Sequence, residues 1–133
     1  MKQINILIII ALLIITSCST EINIEKYINI NSPLTLTIEK RNEQTELSER
    51  KIINIEPNSE KFKELINWYK NNTNNWKITY ATYISKVCVT QNNFRLLYNQ
   101  NSVVIGFTDD KGNSQQYSKT IKNGELNFLI SDL

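Results

Sequence analysis

Apolar residues recur at helical spacing in one segment near the middle of the chain. Four of them fall at positions i, i+3, i+4 and i+7 and share one face: Phe62, Leu65, Ile66 and Tyr69. The lysines of this segment lie off that face. Asn58 or Ser59 can cap the helix, and Glu60 is well placed in its first turn. The pattern predicts one amphipathic helix that ends at Lys70.

Most of the remaining chain alternates between apolar and polar residues, which is the spacing of strands. The alternating runs are 34–38, 52–55, 76–85, 94–98, 103–107 and 117–121, and residues 87 and 89 continue the third run as a strand or as the far side of a bend. In the third run, residues 76, 78, 80, 82 and 84 are expected to share one face of a single strand. The charged stretch 39–51 predicts a solvated loop or hairpin tip, and residues 109–113 and 123–124 predict turns. The sum is an α+β domain in which one amphipathic helix packs on a mainly antiparallel β-meander.

The first residues of the chain have the order of a secretory signal. Lys2 supplies one positive charge, and residues 6–15 form an unbroken apolar run. A helix of that length spans about 15 Å, which is half of the roughly 30 Å hydrocarbon core of a bilayer. The run therefore predicts the apolar part of a signal peptide rather than a permanent transmembrane helix.

Residues 15–18, Ile-Thr-Ser-Cys, follow this run directly. An apolar residue, two small residues and a cysteine in this order resemble the lipobox of bacterial lipoproteins. The resemblance implies cleavage between Ser17 and Cys18, a diacylglyceryl group on the Cys18 sulfur and usually an acyl group on its amine. Several acyl chains together anchor a protein stably to a membrane. The alternative is an ordinary secretory signal with a chance cysteine.

These signals divide the chain into three predicted parts. Residues 1–17 are a lipoprotein signal peptide, residues 18–31 a lipidated N-terminus with a polar tether, and residues 32–133 a single small α+β domain. Within the tether, the isoleucines at positions 22, 24, 28 and 30 alternate with other residues, so one face of an extended segment can be buried.

The residue inventory argues against several classes of chemistry. The chain has no histidine, which removes Ser-His-Asp and Cys-His catalysis and most zinc sites. A formal net charge of +2 gives no electrostatic footprint for nucleic acid. Residues 109–113 faintly resemble a calcium loop but lack its ligand spacing, so a plain turn is favoured. We expect no catalytic residue, metal or cofactor besides the lipid, and an enzyme that uses carboxylates alone is the remaining alternative.

Two kinds of side chain leave alternatives open. Cys88 lies between two valines and is expected to be a small buried hydrophobe, or else a reactive or intermolecular thiol. Trp68, Trp76 and Tyr83 indicate either core and boundary packing or an aromatic surface that binds a partner or a glycan.

The predicted function follows from the predicted lipid anchor and from the residue types that the chain contains or lacks. We expect a lipid-anchored, non-enzymatic domain that binds another component of the cell envelope, with a protein partner and no nucleic acid. Ser19 after the cysteine resembles the pattern that is sorted to the outer membrane in Gram-negative bacteria. Two alternatives remain: an immunity-type lipoprotein that neutralises a toxin or effector at the envelope, and an assembly lipoprotein of a secretion machine.

Overall fold

A computed structural model describes residues 19–41 and 48–131 of the chain. The predicted signal peptide, its cleavage site and Cys18 lie outside the described residues. The described residues form seven strands, one α-helix and two short 3₁₀ turns, Ile24–Tyr27 and Asn127–Leu129. The strands and the helix are β1 (Leu34–Arg41), β2 (Ser48–Ile55), α1 (Glu60–Asn71), β3 (Lys77–Ile78), β4 (Val87–Gln91), β5 (Phe94–Asn99), β6 (Ser102–Thr108) and β7 (Ser114–Thr120).

The strands make one antiparallel sheet with the order β2-β1-β4-β5-β6-β7-β3. Strands β4 to β7 form a meander of consecutive hairpins, and the β1–β2 hairpin lies beside β4. Helix α1 connects the two edge strands, β2 and β3. The predicted α+β class, with a helix and a mainly antiparallel meander, is therefore confirmed.

Helix α1 forms where the apolar spacing predicts it. The Ser59 hydroxyl accepts a hydrogen bond of 3.2 Å from the Phe62 backbone N–H, which satisfies a donor that the first turn leaves without a helical partner. The helix ends at Asn71, one residue beyond the predicted end. Its buried face consists of Phe62, Leu65, Ile66, Trp68 and Tyr69. Each large apolar side chain buried in this way contributes about 1.5–3 kcal/mol.

The core lies between this helix and one face of the sheet. A row of fully buried side chains crosses the four central strands of the core on that face: Leu36, Val89, Leu96 and Ile105. Tyr69 of the helix meets Phe94 of the sheet edge to face, with ring centroids 5.8 Å apart. We call this side of the sheet the core face and the opposite side the outer face.

The segment predicted as a tether packs against the domain from Thr20 onward. Thr20 forms an antiparallel bridge with Trp76, with N–H···O distances of 2.8 and 3.2 Å. Three isoleucines of the segment are buried in the core: Ile22, Ile24 and Ile28. Ile30 is 54% exposed, because a 3₁₀ turn interrupts the expected extended geometry. The predicted domain boundary at residue 32 is therefore wrong, since apolar burial draws the preceding residues into the fold.

The strand predicted from Trp76 to Ser85 is wrong beyond Ile78, whereas Val87 and Val89, expected to continue as a strand or as the far side of a bend, lie in β4. Only Lys77 and Ile78 pair with β7, and residues 79–86, which we call the crossover segment, return from the β3 edge to β4. Gln116, which points to the outer face, donates a hydrogen bond of 2.7 Å to the Ala81 carbonyl. The crossover segment therefore lies over the outer face. The alternating pattern misled here because the chain must leave the edge to reach the centre of the sheet.

Most of the charged stretch 39–51, predicted to be a loop or hairpin tip, lies in strands. Strand β1 continues to Arg41 and β2 begins at Ser48, so only residues 42–47 remain for the tip, and these lie outside the described residues. Glu39 faces Arg50 across the hairpin, and the Arg50 guanidinium donates to the Glu39 carboxylate at 2.6 Å. Pairing of opposite charges lets these exposed residues occupy strands.

Candidate functional site

The two tryptophans of the predicted aromatic surface are buried. Trp68 and Trp76 are 7% and 0% exposed, and their rings meet edge to face at 6.5 Å. The indole N–H of Trp68 donates to the Glu125 carboxylate, and that of Trp76 donates to the Asn72 carbonyl, both at 2.7 Å. Of the two alternatives left open by the sequence, core packing therefore holds for both tryptophans and the partner surface is wrong, because their indole N–H groups and rings already have partners inside the domain.

Tyr83, the third residue of that predicted surface, lies in the crossover segment over the outer face. It is half-buried, and its hydroxyl makes a hydrogen bond of 2.9 Å with the Thr79 hydroxyl. The structure therefore does not bring Tyr83 together with the two tryptophans, which pack on the core face.

Cys88 lies half-buried on the outer face, between Thr37 and Leu97 of the neighbouring strands. Burial raises the pKa of its thiol. A raised pKa lowers the fraction of thiolate, which is the nucleophilic form. The structure thus supports a packing role for Cys88 over a reactive thiol, although the side chain is less buried than predicted.

Residues 109–113 form the predicted turn between β6 and β7. The Asp109 carboxylate accepts hydrogen bonds from the Asn113 backbone N–H at 2.8 Å, the Lys111 backbone N–H at 3.0 Å and the Gln115 amide at 3.0 Å. These donors, the Asn113 N–H first among them, hold the pKa of Asp109 below its usual value. Within ranges 19–41 and 48–131, no cluster of three or more His, Cys, Asp or Glu side chains is placed to hold a metal.

A groove with a volume of about 1030 Å³ lies at one end of the sheet, and we call it the sheet-end groove. Strands β1, β4 and β5 supply its apolar floor, and the β5–β6 turn and the C-terminal segment supply its rim. The apolar residues that line it are Ile38, Ile84, Val87, Tyr98 and Ile130. Five carboxamide side chains line it as well: Asn99, Gln100, Asn101, Asn123 and Asn127.

The backbone under this amide rim is fixed. The Gly124 N–H donates to the Gln100 carbonyl at 3.0 Å, and the Ile121 N–H donates to the Asn101 carbonyl at 2.9 Å. Gln100 has a φ of +42°, a left-handed conformation that non-glycine residues adopt at a cost and that the surrounding bonds must hold. The rim side chains therefore extend from a turn whose backbone is fixed by hydrogen bonds.

The rim amides are available to a ligand. Among the described residues, the side chains of Asn99, Gln100, Asn101 and Asn123 have no hydrogen-bond partner, whereas Asn127 accepts from the Tyr98 hydroxyl at 2.8 Å. A carboxamide both donates and accepts, so such a rim matches peptide groups or hydroxyls.

The titratable side chains of the groove lining, among the described residues, are Glu39, Lys40, Lys86 and Tyr98. The lining, in the part of the chain that the structure describes, contains one carboxylate, Glu39, which is paired with Arg50. Burial raises the pKa of Tyr98 at the floor, so its hydroxyl stays neutral. The groove therefore offers a ligand hydrogen bonds and apolar contact.

The rim residues escaped the sequence analysis because they come from two turns that are distant in sequence. Asparagine is abundant throughout the chain, so no local pattern marks these positions. No protein-family model matches the chain, and no curated protein or solved structure matches it. None of the helices among the described residues is long and apolar enough to cross a membrane.

Proposed function

We propose that this chain is a lipid-anchored protein of the bacterial cell envelope whose domain binds another envelope protein and catalyses no reaction. The order of residues 1–18 supports the anchor, since a charged start, an apolar run and a lipobox-like Ile-Thr-Ser-Cys follow one another. The observation that supports a binding role is the sheet-end groove, with its fixed amide rim over an apolar floor.

A protein segment fits this groove better than a small molecule does. Small-molecule sites are enclosed and occupy about 300–1,000 Å³. The sheet-end groove is at the top of that range and is open along the sheet end. Its unpaired carboxamides can accept from and donate to the peptide groups of an exposed loop or chain end. A lipid anchor on Cys18 would confine the search for that partner to the membrane surface.

The test is site-specific photo-crosslinking in the membranes of the native host. A photoreactive residue replaces Asn101 or Asn123 at the rim, and in the control it replaces Lys111, which is exposed in the β6–β7 turn at the opposite end of the sheet. We expect one protein adduct of the same mass from both rim positions and none from the control. An adduct equally strong at Lys111, or no adduct at the rim, would contradict the proposal.

The identity of the captured protein also separates the two alternatives. An immunity-type lipoprotein would capture a toxin or effector, and a strain without the gene would be sensitive to attack by sister cells. An assembly lipoprotein of a secretion machine would capture a membrane ring protein.

A further inference from the structure

The folded domain begins very close to the predicted lipidation site. The backbone N–H and C=O of Thr20 are both hydrogen-bonded to the backbone of Trp76. Only Ser19 separates Thr20 from Cys18, and two residues extend at most about 7 Å. A lipid on Cys18 would therefore hold the edge of the sheet near β3 directly against the bilayer, with no slack for the domain to rotate freely.

Large apolar side chains are exposed on the surface beside this attachment point. Among the described residues, five large hydrophobic side chains are exposed, and two of them, Tyr80 and Ile84, follow β3; Ile78 is exposed as well but pairs with Tyr117 and points to the core face. Tyr80 and Ile84 are each 90% exposed and belong to the crossover segment. Tyrosine is enriched at the interface between lipid and water, where its ring is buried and its hydroxyl stays hydrated.

The charge around this surface suits an anionic membrane. Lys77 precedes the crossover segment and Lys86 is its last residue, and both are exposed. Arg95 also points to the outer face, and the one carboxylate beside Ile84 in the groove, Glu39, is paired with Arg50. Exposed apolar side chains bordered by lysines are the composition that binds the surface of bilayers with negatively charged lipids.

We propose that the outer face of the sheet lies on an anionic lipid surface, with Tyr80 and Ile84 of the crossover segment inserted among the headgroups. The inference rests on the lipid anchor proposed above. Helix α1, on the core face, then points away from the membrane. Ile84 also borders the sheet-end groove, so the groove opens at the level of the bilayer and its partner approaches along the membrane surface.

The test uses the full chain, isolated from membranes of its native host and reconstituted into vesicles of phosphatidylglycerol and phosphatidylethanolamine. In a Cys88→Ser background, an environment-sensitive fluorophore is attached to Tyr80→Cys or Ile84→Cys. The matched control is Glu64→Cys, at an exposed position of α1 in the other layer of the fold. Lipids with a quencher near the headgroup report contact with the bilayer. The intact mass of each preparation reports the lipid on Cys18.

We expect the quencher to remove about half of the fluorescence at positions 80 and 84, because interfacial side chains lie at headgroup depth, and little at position 64. Equal quenching at all three positions on a lipidated chain would overturn the orientation and leave the anchor intact. A chain without lipid on Cys18 would overturn both proposals.

Discussion

The buried carboxamide of Gln91 holds the N-terminal segment on the sheet, and its removal should destabilise the whole domain. Gln91 is 7% exposed and ends β4 on the core face. Its Oε1 accepts from the Asn29 backbone N–H at 2.6 Å. Its Nε2 lies 3.0, 2.9 and 3.2 Å from the carbonyl oxygens of Asn29, Ser32 and Pro33. The amide has two N–H hydrogens, so one side chain serves the Asn29 N–H and two of these carbonyls at a time, in the segment that leads into β1.

The expected cost of Gln91→Leu follows from this geometry. The variant has a similar volume and removes one acceptor and two donors from this backbone, and each buried polar group left unpaired costs about 1–3 kcal/mol. Asn29 is exposed, so part of the segment can turn its groups to water. We therefore expect a net loss of about 2 kcal/mol rather than the full sum, which corresponds to roughly 6–12 °C in Tm for a domain of this size.

Urea unfolding, followed by the fluorescence of the two buried tryptophans, measures this loss. The matched control is Thr90→Val, which removes a hydroxyl on the outer face of the same strand that has no hydrogen-bond partner within the described ranges. The control should change the free energy of unfolding by less than about 0.5 kcal/mol. If Gln91→Leu costs no more than Thr90→Val, the reasoning about the buried carboxamide is refuted.

Three further changes in stability follow from individual contacts. The Tyr69 hydroxyl is buried and has no partner among the described residues, so Tyr69→Phe should leave the urea midpoint unchanged or raise it, and a clear fall would contradict this. Ser59→Ala removes the cap on the Phe62 N–H and should cost about 1 kcal/mol by thermal unfolding, whereas Ser59→Asp should cost little. Although partial burial opposes it, hydrogen bonding to the Lys122 backbone N–H and to the Trp68 indole holds the pKa of Glu125 below 4.5. The stabilisation that ionised Glu125 provides is present above pH 4.5 and is lost as the pH falls through the lower pKa that Glu125 has in the folded state. The difference in free energy of unfolding between Glu125→Gln and the parent should therefore shrink on acidification. A difference that stays constant with pH would contradict the assigned role of Glu125.

The parts of the fold that the sequence predicted are those with a strong local signal. Helix α1 carries its cap, its apolar face and its end within one short segment, and the hairpin after β6 carries its turn residues. Each of these signals depends on neighbours in sequence, so no knowledge of the tertiary structure was needed. The local pattern and the final fold agree at these positions.

The errors arose where long-range packing decides the outcome. Ile22 and Ile24 are buried, as their alternation allowed, but the sequence did not show that α1 and Trp76 supply the surface on which they pack or that the segment belongs to the domain. Val104 alternates toward the outer face and is still 2% exposed, because the crossover segment covers that part of the sheet. Tyr80 continues the alternation of a strand but is 90% exposed on a segment that has left the sheet.

The sheet-end groove was unpredictable for a related reason. Its floor comes from three strands that pair only in the folded chain, and its rim combines the turn at Gln100 with the segment at Asn123. For the two tryptophans the sequence left core packing and a binding surface open, and the structure places both in the core.

The most direct test of the lipid anchor is the mass of the N-terminal peptide of the protein extracted from the membranes of its native host. A Cys18→Ser variant serves as the control. We predict a peptide that begins at Cys18 and carries the added mass of a diacylglyceryl group and an acyl chain, and a variant that leaves the membrane fraction. An unmodified peptide, with the variant fractionating as the parent does, would contradict the anchored protein proposed here.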